Sequence, residues 1–234
     1  MANDIVTYTL EGSTAILRMD DGKANALSEA MIEGILTSLG RAEREAKALV
    51  LTGRPGRFSA GFDLRVMMSG PANATALLRR GSEMLLALYR TPLPLVVAVT
   101  GHALAGGALV VLTGDVRVAA EGPFKIGLNE VSIGMPVPVL AMELARDRLA
   151  TSELVRATLQ GQIYDPPGAL GAGYLDELVT ADALDARAIA EASRLGALSR
   201  VAYGATKERL RGATIAHIEA TLDSDMASML ALIG

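Results

Sequence analysis

Apolar residues in the first 180 positions fall into short runs whose period switches between that of a strand and that of a helix. Two alternating segments joined at Glu11-Gly12-Ser13 predict a β-hairpin. Ser28 is suited to cap a helix through Leu39. Further strands are predicted at 48–53, 95–100, 116–120 and 174–179. Further helices are predicted at 73–89, from 106, and at 136–149, 151–160 and 166–172. Strands that alternate with helices indicate an α/β fold.

The pattern changes after about Thr180. Residues 182–195, 200–211 and 214–232 are rich in Ala, Leu and Arg, have helical spacing and contain no strand candidate. The sequence therefore predicts an α/β core over 1–180 and a C-terminal helical region over 181–234. We expect that region to serve oligomerisation, because its last helix has an apolar face. The face comprises Ile215, Ile218, Leu222, Met226, Met229 and Leu230.

The longest apolar segment runs from Leu93 to Gly114 and resembles a membrane span by length. It contains Pro94 and several glycines, and its first half is rich in β-branched residues. These features favour two buried elements, a strand at 95–100 and a helix from 106, over a span. We therefore expect no membrane partner.

Charge and composition exclude several classes of partner and of active-site chemistry. The net charge is −4, and no basic run suggests a nucleic-acid partner. Cysteine is absent, which excludes disulfides, thiol nucleophiles and Cys-ligated metals and fits a reducing cytoplasm. The first 12 residues lack the basic and apolar regions of a signal peptide, so a cytoplasmic location is expected.

Common cofactor and nucleophile motifs are missing from the sequence. No G-x-G-x-x-G follows a predicted strand, and there is neither a Walker-type loop nor a G-x-S-x-G elbow. The two histidines, His102 and His217, lack carboxylates at metal-ligand spacing. We predict no metal and no separate cofactor.

Two glycine loops of similar character remain, "FSAGFDL" (58–64) and "GHALAGG" (101–107). The first loop comes after the strand predicted at 48–53, and the second after the strand predicted at 95–100. Their small residues let a ligand approach the backbone closely. The second loop runs into a helix whose first N–H groups lack partners and favour negative charge. Either loop alone is also explained as a tight turn, since glycine is common in turns.

The chain resembles the crotonase superfamily, also called the enoyl-CoA hydratase/isomerase family. The matching segments are "NALS" (25–28), "LVLTG" (49–53), "FSAGFDL" (58–64), "AVTGHALAGGALVVLTGDVRVAA" (98–120), "FKIGLNEVSIGMP" (124–136) and "DPPGALGAGYLDELV" (165–179). The resemblance implies a crotonase-like spiral of ββα units, acyl-CoA thioester substrates and a homotrimer or homohexamer. It also implies an oxyanion hole formed by the backbone N–H groups of Phe62 and Gly106.

One acid of the family's hydratases is replaced. By resemblance, hydratases carry a glutamate one turn into the helix after the second loop and another downstream. Leu109 stands at the first position and Glu130 at the second. "AGGALV", "IGLNE" and "YDPPGAL" are similar to the mitochondrial-type Δ3,Δ2-enoyl-CoA isomerases. A double-bond shift needs only one base, whereas water addition needs a water polarised by more than one group.

The resemblance also implies substrate contacts from two segments and from one residue of the helix after the second loop. These are Lys23 and Ala24 near the adenine, and Ala60, Gly61, Asp63, Leu64 and Arg65 around the first loop, together with Leu109. Asp63 is equally explained as a loop cap and Arg65 as a solvated side chain.

Further alternatives concern other polar and sulfur-containing residues. Glu130 has a surface-acid alternative, which its apolar surroundings disfavour. His102 is predicted to be structural, His217 to lie at the surface or an interface, and the methionine pairs 67–68 and 226/229 to serve packing.

The leading functional hypothesis is isomerisation of 3-enoyl-CoA to 2-enoyl-CoA in fatty acid degradation, with Glu130 as the single base. The alternatives are another crotonase chemistry, such as hydration weakened by Leu109, and a non-catalytic acyl-CoA-binding protein. Retention of Glu130 argues against the last.

Overall fold

The computed structural model describes residues 5–233, and within them it leaves out the side chains of Leu230, Leu232 and Ile233. Asp4, which the hairpin prediction includes, lies outside the described residues. The strands are β1 (Val6–Glu11), β2 (Thr14–Met19), β3 (Ala48–Thr52), β4 (Gly56–Ser59), β5 (Leu95–Val99), β6 (Gly101–Leu104), β7 (Val116–Ala120), β8 (Ile126–Gly127) and β9 (Glu177–Val179). The helices are α1 (Glu29–Glu45), α2 (Leu64–Met67), α3 (Pro71–Arg90), α4 (Gly106–Thr113), α5 (Val139–Arg148), α6 (Leu154–Ala157), α7 (Pro166–Ala172), α8 (Leu184–Gly196) and α9 (Arg200–Ile233).

Three consecutive strand–strand–helix units distribute their strands between two sheets. In each unit the first strand, β3, β5 or β7, joins a six-stranded sheet of order β1-β2-β3-β5-β7-β9. The second strand, β4, β6 or β8, joins a three-stranded parallel sheet. The hairpin strands β1 and β2 are antiparallel, and the other neighbours in the large sheet are parallel. This topology confirms the predicted α/β spiral of ββα units.

Both faces of the large sheet are buried, which explains why β3 and β5 read as continuous apolar runs. One face packs against α8, where Val50, Val96 and Val118 meet Ala188 and Leu195. The other face belongs to the larger core shared with α1, α3, α4 and α5. The centre of the large sheet, which supplies the strands that precede β4 and β6 in the chain, is therefore packed on both faces.

Several predicted boundaries were wrong. β4 and β6 fall in segments predicted as loops, because their partners are each other and β8 rather than sequence neighbours. The helix predicted at 136–149 begins at Val139, because the extended Pro138 precedes it. The helix predicted at 151–160 is a 3-10 turn at 151–153 followed by α6. Only the last part of the strand predicted at 174–179 forms β9. The hairpin and the apolar strand–helix pair after Leu93 were predicted correctly.

The two helices predicted after residue 200 are one helix, α9, of 34 residues. Two buried ion pairs hold the first half of this helix against the rest of the chain. The Asp115 carboxylate pairs with Lys207 Nζ at 2.6 Å and with Arg211 Nη2 at 2.9 Å. Lys207 also donates to the carbonyls of Thr91 and Leu93. Because these charged groups are paired and hydrogen-bonded, their burial is tolerated. The helix therefore continues through Gly212, where the sequence suggested a break.

The apolar face of α9 packs within the chain. Ile215, Ile218, Met226 and Met229 are all buried in the single chain, and α9 lies against α3 and α5. These four side chains of the face are therefore covered by their own chain, and a role of the C-terminal region in oligomerisation stays a prediction. Association as a trimer or hexamer likewise stays a prediction. Among the residues that the structure describes, no helix is both long and apolar enough to span a membrane.

Candidate active site

Asn25 and Ser59 fix the first glycine loop. Asn25 is fully buried in a left-handed conformation (φ 51°), which Asn tolerates better than most residues. Its Nδ2 donates to the carbonyls of Met19 at 2.9 Å and of Phe58 at 3.2 Å. Ser59 Oγ donates to the Asn25 carbonyl at 2.7 Å and accepts from the Gly61 N–H at 3.2 Å. Both ends of the turn are thereby held.

The hydrogen bonds of this loop aim the Phe62 amide. Leu27 N–H donates to the Gly61 carbonyl at 2.8 Å, and the Leu27 carbonyl accepts from Asp63 N–H at 3.4 Å. In parallel pairing of this kind, the residue between the two bonded neighbours directs its own N–H to the opposite side. On that side β4 pairs with β6, which leads into the second loop. The Phe62 N–H therefore points toward the second loop.

The second loop meets the first in direct backbone contact. A Cβ atom at Gly61 would lie 2.9 Å from the Leu104 carbonyl oxygen and 3.1 Å from the Gly106 nitrogen. Ala105, just before α4, has φ 48° and ψ −122°, a conformation that costs an alanine about 1–3 kcal/mol. No hydrogen bond within residues 5–233 has the Phe62 or Gly106 N–H as its donor. Two unpaired donors thus lie where the predicted oxyanion hole should be.

Leu109 lies behind these donors in an apolar space. Its side chain is 3% exposed and lines a small cavity of about 30 Å³ together with Phe62. The other lining residues are Leu78, Ser82, Leu85, Pro138, Leu140, Leu222, Asp225, Met226 and Met229. The hydratase-type acid position is therefore occupied by a buried apolar side chain beside the predicted oxyanion hole.

Glu130 is a buried carboxyl with a free oxygen. It follows β8 and precedes a 3-10 turn, where its carbonyl accepts from the N–H groups of Ile133 and Met135. The side chain is 7% exposed, and within residues 5–233 its Oε2 has no hydrogen-bond partner. Burial raises the pKa of Glu130 above its ordinary value. A carboxyl of this kind is suited to exchange protons near neutral pH. Glu130 is not among the described residues that line the small cavity.

The remaining predicted contacts lie along the first loop. Ala24 accepts from the Ala60 N–H at 3.0 Å, and exposed Lys23 accepts from Arg54 through its carbonyl. Asp63 caps α2 by accepting from the Arg65 N–H at 2.9 Å, as its alternative role predicted. The Arg65 side chain is 84% exposed. Leu64 lies at the mouth of a larger cavity.

His102 has the structural environment that the sequence analysis predicted. Its Nδ1 accepts from the Lys125 N–H at 3.0 Å, and its ring meets Phe124 edge-on. Burial, with smaller contributions from Arg57 and Lys125, lowers the pKa of His102. His217 is exposed on α9. Within residues 5–233, no group of His, Asp or Glu is arranged to hold a metal ion.

The interpretation of the methionine pairs as packing was incomplete. Met67, Met68, Met226 and Met229 all line an apolar cavity of about 560 Å³. The sequence gives no sign of this cavity, because its walls come from segments far apart in the chain.

Asp225 was also missed as a site residue. It lines the same small cavity as Leu109, and its Oδ2 accepts from the Val139 N–H at 2.8 Å. It thereby caps α5 from α9. Its spacing from the glycine loops in the sequence gives no signal for this position.

Comparison with known proteins identifies the family to which this chain belongs. The profile of the family described as "Enoyl-CoA hydratase/isomerase" matches residues 9–231. The chain belongs to the enoyl-CoA hydratase/isomerase family. Human mitochondrial enoyl-CoA delta isomerase 1 is 30% identical over 94% of this chain and 74% of its own length. A solved enoyl-CoA hydratase/isomerase family protein from Pseudomonas syringae is 38% identical, covers 97% of this chain and 98% of its own, and has a TM-score of 0.94.

Hydratase names also occur in this enoyl-CoA hydratase/isomerase family. A probable enoyl-CoA hydratase from Bacillus subtilis is 29% identical over 56% of this chain and 52% of its own length. Family membership therefore makes the chain a crotonase-type enzyme, and an acyl-CoA substrate is consistent with this family. The choice between double-bond shift and hydration depends on the residues of this site.

Proposed function

We propose that this enzyme is a Δ3,Δ2-enoyl-CoA isomerase that uses Glu130 as its single base. The proposal rests on the combination of two buried residues at the two acid positions of the family. Leu109 makes the first position apolar, and Glu130 keeps a carboxyl at the second, with an Oε2 that has no hydrogen-bond partner within residues 5–233. The similarity to human enoyl-CoA delta isomerase 1 over 94% of the chain supports it.

In the proposed reaction, the thioester oxygen accepts the N–H groups of Phe62 and Gly106. Glu130 removes a proton from C2, and the electron pair moves into a dienolate whose negative charge rests on that oxygen. The carboxyl then returns the proton to C4, which leaves the double bond between C2 and C3. Each oxyanion donor typically lowers the barrier by about 3–4 kcal/mol. One carboxyl can serve both transfers, because burial raises the pKa of Glu130 and so makes its protonated form a stable intermediate between them.

The apolar lining around Leu109 favours isomerisation over hydration. Water addition needs an ordered water with polar partners, and the side chains around Leu109 in the small cavity are mostly hydrocarbon. Expulsion of water also strengthens the interaction between the dienolate and the two backbone donors.

Hydration remains the second candidate for one specific reason. Asp225 places a carboxylate in the wall of the cavity that holds Leu109. Asp225 is thus an acid beside Leu109 that could polarise a water, in addition to Glu130, which does not line this cavity. Against this, the Asp225 carboxylate already accepts from the N-terminus of α5.

A product assay separates the two candidates. The enzyme is incubated with a 3-enoyl-CoA and, separately, with the 2-enoyl-CoA of the same length, and products are identified by mass and double-bond position. We expect the 3-enoyl substrate to be converted without a change in mass. Faster addition of water to the 2-enoyl substrate than isomerisation of any 3-enoyl substrate would make the enzyme a hydratase.

The Leu109→Glu variant tests the cause of that preference, with the volume-conserving Leu109→Met as its control. A second carboxylate brings water and raises the pKa of Glu130 further by like-charge repulsion. We expect slower isomerisation by Leu109→Glu and near-normal isomerisation by Leu109→Met. Equal rates in both variants would show that the apolar character of Leu109 is irrelevant to the reaction.

A further inference from the structure

The hydroxyl of Tyr174 is buried in the core without a hydrogen-bond partner. The residue is fully buried, and within residues 5–233 its hydroxyl oxygen takes part in no hydrogen bond. Burial of an unpaired hydroxyl destabilises a fold, and a phenylalanine would fill the same space without that cost. Buried tyrosine hydroxyls normally have a polar partner. The polar groups around Tyr174 therefore indicate what its hydroxyl does.

The end of β8 is the backbone that faces this hydroxyl. Ile126 N–H donates to the Tyr164 carbonyl at 3.0 Å. Because the N–H groups of residues i and i+2 leave a strand on the same side, the Leu128 N–H also points to the side of Tyr164. The Tyr164 ring centroid lies 5.8 Å from that of Tyr174. The Leu128 N–H accordingly faces the Tyr174 oxygen, although the contact falls outside hydrogen-bond geometry.

Glu130 lies two residues beyond Leu128 and carries a second buried atom without a partner. Within residues 5–233 its Oε2 accepts no hydrogen bond. Burial raises the pKa of Tyr174, the Leu128 N–H lowers it, and the nearby Tyr164 and Glu130 raise it again. A hydroxyl whose oxygen faces an N–H directs its own hydrogen elsewhere, and a carboxylate is a strong acceptor for it.

We propose that Tyr174 is a positioning residue for Glu130: its oxygen accepts the Leu128 N–H, its O–H donates toward the Glu130 carboxylate, and both contacts tighten when an acyl-CoA is bound. Hydrogen bonds of catalytic groups are often long in the free enzyme and shorten in the complex. The inference rests on the proposed function, because it takes Glu130 to be the base.

The other charged groups around Glu130 have partners of their own. Tyr164 O–H donates to Glu153 Oε2 at 2.9 Å, and Glu153 pairs with Arg156 at 3.7 Å. On α9, the Asp225 carboxylate accepts from the N-terminus of α5. The pKa of Glu130 is raised by burial and lowered by a backbone hydrogen bond of its own residue, without a contribution from these charges. Within residues 5–233, Tyr174 therefore supplies the polar side chain that is available to act on the carboxylate.

The backbone around Tyr174 is held without the help of the hydroxyl. Tyr174 N–H donates to the Ala169 carbonyl at 2.9 Å, behind Gly173, which ends α7 with a φ of 90°. Two residues further on, the Asp176 carboxylate accepts from Arg117 Nε at 2.9 Å. Tyr174→Phe therefore removes the hydroxyl and keeps the ring in place. Because the hydroxyl has no partner, the variant should be at least as stable as wild type in urea unfolding.

Carbon NMR of isotopically labelled glutamate carboxyl groups tests the proposal without turnover. The pKa of Glu130 is measured with bound hexanoyl-CoA, which has no double bond to move, and Glu130→Gln identifies its signal. We expect Tyr174→Phe to raise the pKa of Glu130 by at least about 0.5, because the charged form loses a donor. Tyr164→Phe is the matched control and should change it by less than about 0.2, because Tyr164 donates to Glu153. An unchanged pKa of Glu130 in Tyr174→Phe would overturn the proposal.

Kinetics with 3-hexenoyl-CoA give the second readout. Tyr174→Phe should lower kcat about tenfold and change KM by less than about twofold, since a misplaced base slows the reaction without weakening binding. The acidic limb of its pH profile should move to higher pH, and Tyr164→Phe should keep kcat within about twofold of wild type. Equal losses in both variants, or unfolding of Tyr174→Phe, would give the hydroxyl a purely structural role and overturn the proposal. If the pKa of Glu130 responds as expected but wild type isomerises no 3-enoyl-CoA, Tyr174 positions Glu130 and the proposed function is wrong.

Discussion

Gly107 at the start of α4 lies against the backbone of Ser59 at the end of β4. A Cβ atom at Gly107 would lie 2.3 Å from the Ser59 carbonyl oxygen, closer than any real Cβ contact. The neighbouring Gly106 has a different environment, since its Cβ would meet Leu27 and the Phe62 ring at 3.1 Å. The glycine pair therefore has two functions: Gly107 lets the two loops touch, and Gly106 presents an unblocked N–H.

Gly107→Ala should destabilise the protein by about 2 kcal/mol, because overpacking against backbone outweighs the better helix propensity of alanine. The control is Gly171→Ala in α7, where an added Cβ would meet no atom within 4 Å. That variant should be more stable than wild type by about 0.5–1 kcal/mol. Denaturant unfolding measures both. Equal stability of the two variants would contradict the close contact.

Gly106→Pro should abolish activity while the fold is retained. Gly106 is the first residue of α4, a position that tolerates proline, and the substitution removes the proposed second oxyanion donor. Gly106→Ala is the matched control, because it adds a Cβ at the same place and keeps the N–H. We expect the Pro variant to be about a hundredfold or more slower than the Ala variant. Similar rates, with circular dichroism showing both folded, would move the donor to another residue.

Glu130→Gln should reduce isomerase turnover at least about a hundredfold, the low end for a positioned general base. Acyl-CoA binding should survive, since the proposed oxyanion donors are backbone groups. Asp225→Asn is the control: the amide oxygen still accepts from Val139 N–H, but the carboxylate in the cavity wall is lost. A larger loss in Asp225→Asn than in Glu130→Gln would make Asp225 the base.

The pH dependence of stability tests the burial of Glu130 without an activity assay. Burial raises the pKa of Glu130, so between the unfolded and folded pKa values the native state binds more protons than the unfolded state. The contribution of this group to stability is therefore present below about pH 4 and is lost as the pH rises through its folded pKa.

Glu130→Gln should accordingly be more stable than wild type at neutral and alkaline pH, and the advantage should vanish toward about pH 4. Urea unfolding of both proteins across this range measures the difference. A variant that is less stable than wild type at neutral pH would show that the carboxylate makes stabilising contacts in the folded protein. The acidic limb of the isomerase pH profile should also lie above the ordinary glutamate pKa.

Local patterns in the sequence account for the order of elements and for the segments that carry the chemistry. Apolar periodicity is local, so it predicted the hairpin, the apolar strands and most of the helices. Short sequence motifs likewise contain the two glycine loops, Leu109 and Glu130. Their family resemblance was confirmed by the match over residues 9–231.

Contacts between segments that are distant in the chain follow instead from the packing of the whole fold. β4 and β6 are short and become strands because they pair with each other, an interaction that local propensity does not contain. α9 continues through Gly212 because buried ion pairs to Asp115 hold it. The same helix carries Asp225 and Met226 into the cavity walls beside Leu109, 116 and 117 positions away along the chain. Such contacts depend on how rigid elements pack against one another, and no short stretch of sequence records that packing.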